Sequence, residues 1–167
     1  MKFFLSLMLL IAFAHAYEDD VSAEAAYKMQ KAGEAIIVDV RTTIEYLYAG
    51  HGQGFINIPA YYRTYDEESI DKRVKSARYE VKKNRVKDHK SVLKLYAYKE
   101  AVNKNFVRDV MKAMKLAGVE KVILVCRNGP RSSAAADLLA AQGITAYNLE
   151  DGFIFGWKEE GMPWGGQ

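Results

Sequence analysis

The sequence predicts an α/β domain in three layers, with a central, mostly parallel sheet flanked by helices. Short apolar, β-branched runs alternate along the chain with helical patterns, an order typical of such folds. The 167 residues contain no internal repeat, no low-complexity segment and no Pro-rich linker. We therefore expect one domain with a sizeable core.

The first 16 residues have the pattern of a secretory signal peptide. Lys2 precedes an apolar run from Phe3 to Phe13, and the small-residue sequence "AHA" follows at 14–16. The run is shorter than the roughly 20 apolar residues of a membrane-spanning helix. We expect cleavage after Ala16, a mature chain of 167 − 16 = 151 residues that is periplasmic or secreted, and no other membrane span.

The first half of the mature chain alternates helix and strand. Ser22 is placed to cap a helix that ends at Gly33. "AIIVDV" (35–40) predicts a buried strand, and "TIEYLYAG" after it predicts a short helix that ends at Gly50. "GFINIP" (54–59) predicts another short strand.

Residues 61–98 form a basic, Tyr-rich insertion. The segment 61–108 has 14 Lys and Arg against 7 Asp and Glu, and 61–98 has no Gly or Pro, which favours helix. A pair of solvated helices that pack on the domain is one interpretation. A docking surface for an acidic protein, a homodimer contact, and a lid that steers anions inward are others.

The second half continues the alternation. "KEAVNKNFVRDVMKAMKLAG" (99–118) has apolar residues at three- and four-residue spacings and predicts an amphipathic helix that ends at Gly118. "KVILVC" predicts a buried strand, "RSSAAADLLAAQG" a helix, "TAYNLE" (145–150) a last strand, and "GFIFGWKEEG" a short helix.

The chain has one cysteine, and its position in the sequence favours a reactive thiol. One cysteine makes no internal disulfide, so Cys126 is an inert buried thiol, an interchain disulfide partner or a reactive group. It ends a predicted strand and begins "CRNGPRS", where a Gly-Pro turn opens a helix between two arginines. Backbone N–H groups in such a turn converge on an anion, which lowers the pKa of a thiol and favours a nucleophile.

Two stretches together resemble the rhodanese-like sulfurtransferase domain. They are "DVRTTIEYLYAGHGQGFINIP" and "VILVCRNGPRSSAAADLLAAQGITAYNLEDGFIFGWKEEGMPW", and the resemblance covers roughly residues 22–60 and 119–164. It implies that Cys126 accepts a sulfane sulfur from thiosulfate or polysulfide as a persulfide and passes it to a thiol, cyanide or partner protein. It also implies that no metal or organic cofactor is needed.

The resemblance and the turn chemistry assign the candidate site. Cys126 is the catalytic residue, and Arg131 closes the loop around it. The candidate substrate-binding residues are Arg127, Asn128, Gly129, Pro130, Arg131, Ser132 and Arg41. For Asp39 and Arg41 a structural ion pair is the favoured alternative. His51 lacks companions at ligand spacing, so a role in its turn is expected, and a zinc site is not.

Rival functions remain at this stage. A phosphatase or arsenate reductase on a related fold needs a longer loop, with arginine six positions after cysteine, whereas Arg131 is five positions after Cys126. A persulfide carrier with little turnover and an idle docking module are the other two. The expected ligand is a small anionic sulfur donor. Without Lys2 the formal charge falls from +3 to +2, too little to indicate nucleic-acid binding.

Overall fold

The computed structural model describes residues 16–67, 69–83 and 96–166. The strands there are β1 (Asp20–Val21), β2 (Ala35–Asp39), β3 (His51–Gly52), β4 (Ile56–Asn57), β5 (Tyr61–Glu67), β6 (Tyr96–Val102), β7 (Lys121–Val125), β8 (Thr145–Leu149) and β9 (Trp164–Gly165). The helices are α1 (Ala23–Lys31), α2 (Thr43–Tyr48), α3 (Ile70–Lys83), α4 (Phe106–Ala117), α5 (Pro130–Ala140) and a π-helical turn, Gly152–Lys158. The predicted signal peptide lies outside the described residues, apart from Ala16. None of the helices in these ranges could cross a membrane.

The central sheet has five strands in the order β1-β8-β7-β2-β4, and every neighbouring pair is parallel. β7 is the middle strand, and its last residue, Val125, pairs with Asp39 at the end of β2. The carboxyl ends of β2 and β7 therefore lie side by side. This is the edge where ligands bind in open α/β sheets.

Helices cover both faces of the sheet, because successive strand residues point to opposite sides. Val38 and Leu124 face α4 and α5, whereas Ile37 and Ile123 face α1 and the π-helical turn. On the α4 and α5 side, the hydrophobic core includes helix residues Phe106, Val110, Met114, Ala135, Ala136 and Leu139. On the side of α1 and the π-helical turn, the core includes Ala23, Ala26, Phe153 and Trp157. The three-layer α/β prediction is confirmed.

Several predicted helix ends are present. The Ser22 hydroxyl accepts a hydrogen bond from the Ala25 N–H at 3.2 Å and caps α1. Gly118 ends α4 with a left-handed φ of 68° that glycine adopts without strain. The strand predicted over 54–59 is shorter than expected, since β4 has two residues.

The prediction of a helical insertion is wrong at both of its ends. Residues 61–67 and 96–102 are strands β5 and β6, which pair antiparallel from Tyr61–Val102 to Glu67–Tyr96. Only α3, between them, is helical as predicted in the described part of the insertion. Tyrosines favour strands, and the absence of Gly and Pro does not exclude one. The pairing joins segments about 35 residues apart, so no local pattern signals it.

The helix predicted from residue 99 begins later, at Phe106. Residues 99–102 belong to β6, and Asn103 makes the turn between strand and helix. Its side-chain amide donates to the Pro59 carbonyl at 2.8 Å, and its side-chain oxygen accepts from the Asn105 N–H at 3.0 Å. Asn103 is buried and satisfied by these bonds. The ribbon of β5 and β6 is thereby tied to the end of β4.

Candidate active site

Cys126 follows β7 directly and lies at the carboxyl edge of the sheet, as the sequence predicts. Its neighbours across the strand ends include Val40, whose N–H donates to the Val125 carbonyl at 2.9 Å. The side chain is buried in the cluster that contains Val40, Ala135 and Ala136. The small alanines of α5 let this helix pack closely against the strand that carries the sulfur.

The loop after Cys126 turns its backbone N–H groups toward the sulfur. The Gly129 N–H donates to Sγ at 3.2 Å. The backbone N–H groups of Asn128, Arg131 and Ser132 also lie close enough to the sulfur to favour its negative charge. Gly129 has a φ of 104°, which only glycine adopts readily, and this conformation lets the loop close. Pro130 begins α5, where its missing N–H costs nothing.

These donors stabilise the thiolate. Burial by itself raises the pKa of the Cys126 thiol, but hydrogen bonds from the Ser132 hydroxyl and the backbone N–H groups outweigh it, so the pKa lies below its ordinary value. Burial lowers the pKa of Arg131, but the Glu45 carboxylate and, to a smaller extent, the charged Cys126 sulfur outweigh it and raise that pKa. A lowered thiol pKa is the property that a cysteine nucleophile needs.

Ser132 has two acceptors within reach. Its hydroxyl donates to the Gly129 carbonyl at 2.8 Å and also lies within hydrogen-bonding reach of the Cys126 sulfur. A hydroxyl has one proton, so it donates to one of these acceptors at a time. Ser132 is fully buried, so its hydroxyl makes these contacts out of reach of bulk water.

Arg131 is held by Glu45 in a two-pronged ion pair. Its two terminal nitrogens lie 3.0 and 2.9 Å from the two carboxylate oxygens. Glu45 also completes the cap of α2, because it accepts hydrogen bonds from the backbone and side chain of Thr42. Burial raises the pKa of Glu45, but Arg131 and Thr42 outweigh it and lower the pKa to about 2. Arg131 closes the loop by joining it to α2.

Arg41 is buried in an ion pair with Asp39. It is 1% exposed, its guanidinium pairs with Asp39 at 2.9 and 3.0 Å, and it donates to the Gly50 carbonyl at 2.8 Å. The ring of Phe153 lies 4.5 Å from the guanidinium carbon. This geometry is that of the structural ion pair which the sequence analysis favoured.

Arg127 and Asn128 are exposed at the rim of the loop. Within the described ranges, Arg127 makes no ion pair. The backbone of the rim is fixed from behind, since the Phe153 N–H donates to the Cys126 carbonyl at 2.8 Å and the Ile154 N–H to the Arg127 carbonyl at 3.1 Å. The π-helical turn thus holds two carbonyls outward while the loop's N–H groups point inward.

The π-helical turn can approach the cysteine loop this closely because residue 152 is a glycine. A Cβ at Gly152 would lie 2.6 Å from the Asn128 nitrogen and 2.7 Å from the Arg127 carbonyl carbon. The sequence motif "YNLEDG" is part of the family resemblance, but its contact with the loop is not visible in the sequence. Glu45 likewise lies in a quoted stretch of the resemblance, "DVRTTIEYLYAGHGQGFINIP", but the sequence did not indicate its contact with Arg131. A glycine shortly after the end of a strand, here Gly152 after Leu149, is the one signal that marks such a close approach.

The sulfur itself is covered. Cys126 has no exposed surface in this conformation. Beside the loop lies a cavity of about 410 Å³ that is lined by Thr42, Pro130, Arg131 and residues of the ribbon. Chemistry at Cys126 therefore requires movement of the residues that cover it.

His51 stabilises its turn. Its ring stacks on Tyr46 with centroids 3.8 Å apart, and Nδ1 lies 3.1 Å from the Tyr46 carbonyl oxygen. Tyr46 in turn donates its hydroxyl proton to the Phe55 carbonyl at 2.9 Å. These contacts fit the expected role of His51 in the turn.

Comparison with known proteins agrees with this geometry. The family model of the rhodanese-like domain matches residues 22–160. Uncharacterized protein RP600 of Rickettsia prowazekii (strain Madrid E) is 33% identical over 69 residues, which are 38% of this chain and 56% of that protein. The match thus spans about half the length of that relative.

Solved structures share the fold. Rv0390 from M. tuberculosis superposes with a TM-score of 0.57 at 22% identity, over 90% of this chain and 98% of that one. A thiosulfate sulfurtransferase from Pseudomonas aeruginosa superposes with a TM-score of 0.53 at 18% identity, over 90% of this chain and 20% of that one. Identities this low establish the fold alone. With the family match over residues 22–160, they show that this chain belongs to the rhodanese-like domain family, a family related to sulfur transfer.

Proposed function

We propose that this protein is a sulfurtransferase that carries sulfane sulfur on Cys126. The observation that carries the proposal is the loop backbone around the sulfur, in which the Gly129 N–H donates to Sγ at 3.2 Å and the N–H groups of Asn128, Arg131 and Ser132 favour the negative charge. Fixed donors of this kind stabilise negative charge without reorganisation during the reaction. Thiosulfate or polysulfide is the donor, and a thiol, cyanide or a partner protein is the acceptor.

The first step loads the sulfur. The Cys126 thiolate attacks the outer sulfur of thiosulfate, a new S–S bond forms, and the bond to the sulfite sulfur breaks. Sulfite leaves with the electron pair of that bond. The product Cys126–S–S⁻ keeps one negative charge, which the loop N–H groups and the Arg131 guanidinium stabilise.

The second step returns the thiolate. Cyanide attacks the outer sulfur, the S–S bond breaks with its electron pair on Cys126, and thiocyanate leaves. With a thiol as acceptor, the thiol proton passes to the transferred sulfur, and the product is a hydropersulfide. Neither step needs an oxidant, a reductant or a cofactor.

The state of Arg131 argues against phosphate and arsenate chemistry. An arginine that holds a phosphoryl group must present its fork of donors to the oxygens. Here both terminal nitrogens of Arg131 are bound to Glu45, in a pair whose side chains are only 25–29% exposed. The arginine also follows the cysteine by five positions, one fewer than the related phosphatases need. A small loop suits one sulfur atom.

The covered sulfur supports a second candidate, a persulfide carrier that a partner opens. Because Cys126 has no exposed surface, turnover by the chain alone requires the residues that cover the sulfur to move. A carrier would hold a stable persulfide and show little turnover with cyanide. Export of the chain, and contact with an acidic partner or a second copy through residues 61–98, remain part of the proposal.

Mass spectrometry of the intact mature chain tests both candidates. The chain is incubated with thiosulfate or with polysulfide, and we expect a gain of one sulfur that cyanide removes. Cys126→Ser, the matched control, should gain none. A persulfide that persists in cyanide favours the carrier. No gain with either donor, or an equal gain in Cys126→Ser, would refute sulfur transfer at this residue.

A further inference from the structure

The cavity beside the cysteine loop has a wall that the insertion supplies. Tyr61 and Arg63 of β5 and Glu100 of β6 line one side, and Pro130 and Ala134 at the start of α5 line the other. The first wall comes from the ribbon that the sequence places outside the family resemblance. The second begins at the loop that surrounds Cys126. The insertion therefore shapes the space beside the cysteine loop.

Among the described residues, the ribbon contributes Arg63 and Glu100 as charged groups on the cavity lining. Arg63 and Glu100 face each other across the ribbon, with nitrogen–oxygen distances of 2.6 and 2.7 Å to the same carboxylate oxygen. The other cation on the lining, Arg131, is bound to Glu45. Both arginines of the lining thus have carboxylate partners, and the described lining presents charges of both signs.

We infer that this cavity binds the sulfur acceptor, and that the acceptor is a small zwitterionic thiol of the α-amino acid type. A ligand with a carboxylate and an ammonium group can engage Arg63 and Glu100 at once, while its side chain lies along Tyr61 and Pro130. A volume of about 410 Å³ fits a small organic molecule. The inference rests on the proposed sulfurtransferase function, because it places an acceptor beside the persulfide.

The transfer step balances without other reactants. The bound thiol attacks the outer sulfur of Cys126–S–S⁻, an S–S bond forms to the ligand, and the bond to Cys126 breaks with its electron pair on Sγ. The thiol proton passes to the transferred sulfur. The products are the Cys126 thiolate and an amino-acid hydropersulfide.

Binding is tested separately from chemistry with S-methyl-L-cysteine, which has the same charged groups and no thiol. Titration calorimetry on the mature chain should show saturable binding that Arg63→Gln weakens about tenfold or more, since a hydrogen bond to a charged group is of that order. Arg108→Gln is the matched control. It removes the exposed Arg108–Asp109 pair on α4, far from the cavity, and should leave binding unchanged. Absence of binding to the native chain would overturn the inference.

Transfer is then measured from the chain preloaded with persulfide. L-cysteine, 2-mercaptoethanol and cyanide are compared by the loss of one sulfur from the intact mass. We expect saturation with L-cysteine alone, and a cysteine-to-cyanide rate ratio that falls about tenfold in Arg63→Gln. Equal behaviour of L-cysteine and 2-mercaptoethanol would contradict the inference while leaving sulfur transfer intact. Binding of S-methyl-L-cysteine without any persulfide at Cys126 would refute the proposed function and keep the site.

Discussion

The cysteine loop and the inserted ribbon lie against the same cavity but are specified in different ways. The loop is seven residues long, from Cys126 to Ser132, and its shape comes from residues inside it. Gly129 supplies the unusual φ, Pro130 starts the helix, and the backbone itself makes the binding ring. The ribbon joins two segments about 35 residues apart, and its contacts form only when the chain has folded.

The difference explains how each region should respond to substitution. A ring of backbone donors has no side chain to replace. Substitutions that damage it must therefore change the loop conformation, or remove the ion pair with α2 or the contact with the π-helical turn that hold the loop in place. The ribbon depends on many cross-strand pairs, each worth a fraction of a kcal/mol. We therefore expect large effects on reactivity from single changes in or beside the loop, and small ones from exposed ribbon positions.

The largest effect is expected for Gly129→Ala. A side chain at φ 104° is strained, which costs at least about 1 kcal/mol and turns the residue-129 N–H away from the sulfur. Loss of such a donor should slow persulfide formation about 100-fold, as measured by intact mass against time.

Gly118→Ala is the matched control for that change. Gly118 also has a positive φ, 68°, and at both glycines an added Cβ would meet nothing within 4 Å. It should lower the melting temperature without slowing persulfide formation. Equal slowing in both variants would show that overall stability, not the loop conformation, sets the reactivity.

The next effect is expected for Glu45→Gln, which breaks the clamp between the loop and α2. Loss of this half-buried pair should lower the free energy of unfolding by about 1–2 kcal/mol near neutral pH. The pKa of Glu45 is lowered to about 2, so the stabilisation is fully present above its ordinary value near 4.5 and is lost as the pH falls toward 2. Urea unfolding at several pH values should show the two proteins converge in acid.

Glu24→Gln serves as the comparison for the clamp. Glu24 pairs with Lys28 on the exposed face of α1, and its loss should leave stability unchanged within error. A Glu45→Gln protein as stable as the native chain at pH 7 would mean that the ion pair does not hold the loop.

A smaller effect concerns the pH at which Cys126 ionises. The rate of alkylation by iodoacetamide should rise with a midpoint below the value of about 8.5 for an unperturbed cysteine, because the loop donors favour the thiolate. Ser132→Ala removes one of these donors, so its midpoint should move upward. A native midpoint at or above the unperturbed value would contradict the proposed nucleophile.

The smallest effect is expected on the ribbon. Tyr62 is half-exposed on β5, opposite Ala101, and lies outside the cavity lining. Tyr62→Thr keeps strand propensity and should change the unfolding free energy by less than about 0.5 kcal/mol. Its alkylation midpoint should equal that of the native chain. A shift there would show that the ribbon and the loop are coupled through more than the cavity.

Much of the loop and of the sheet was visible in the sequence because local signals coincide there. The β-branched run before Cys126, the Gly-Pro turn and the small residues of α5 all indicate one arrangement. The partners of the loop were not visible, since Glu45 lies 86 positions from Arg131 and the π-helical turn contacts the loop through its backbone. The ion pair of Arg41 with Asp39 was the favoured alternative from the sequence, because the two residues lie two positions apart at the end of one strand.

The cover over Cys126 has a consequence for the lifetime of the sulfur. Oxidation of cysteine follows thiolate character and exposure, and beyond the sulfenic acid it is effectively irreversible. The chain has no second cysteine to trap that acid as an internal disulfide. Under the proposed function, burial protects the activated thiolate from oxidants between turnovers, and each movement that uncovers the sulfur would expose the protein to permanent inactivation.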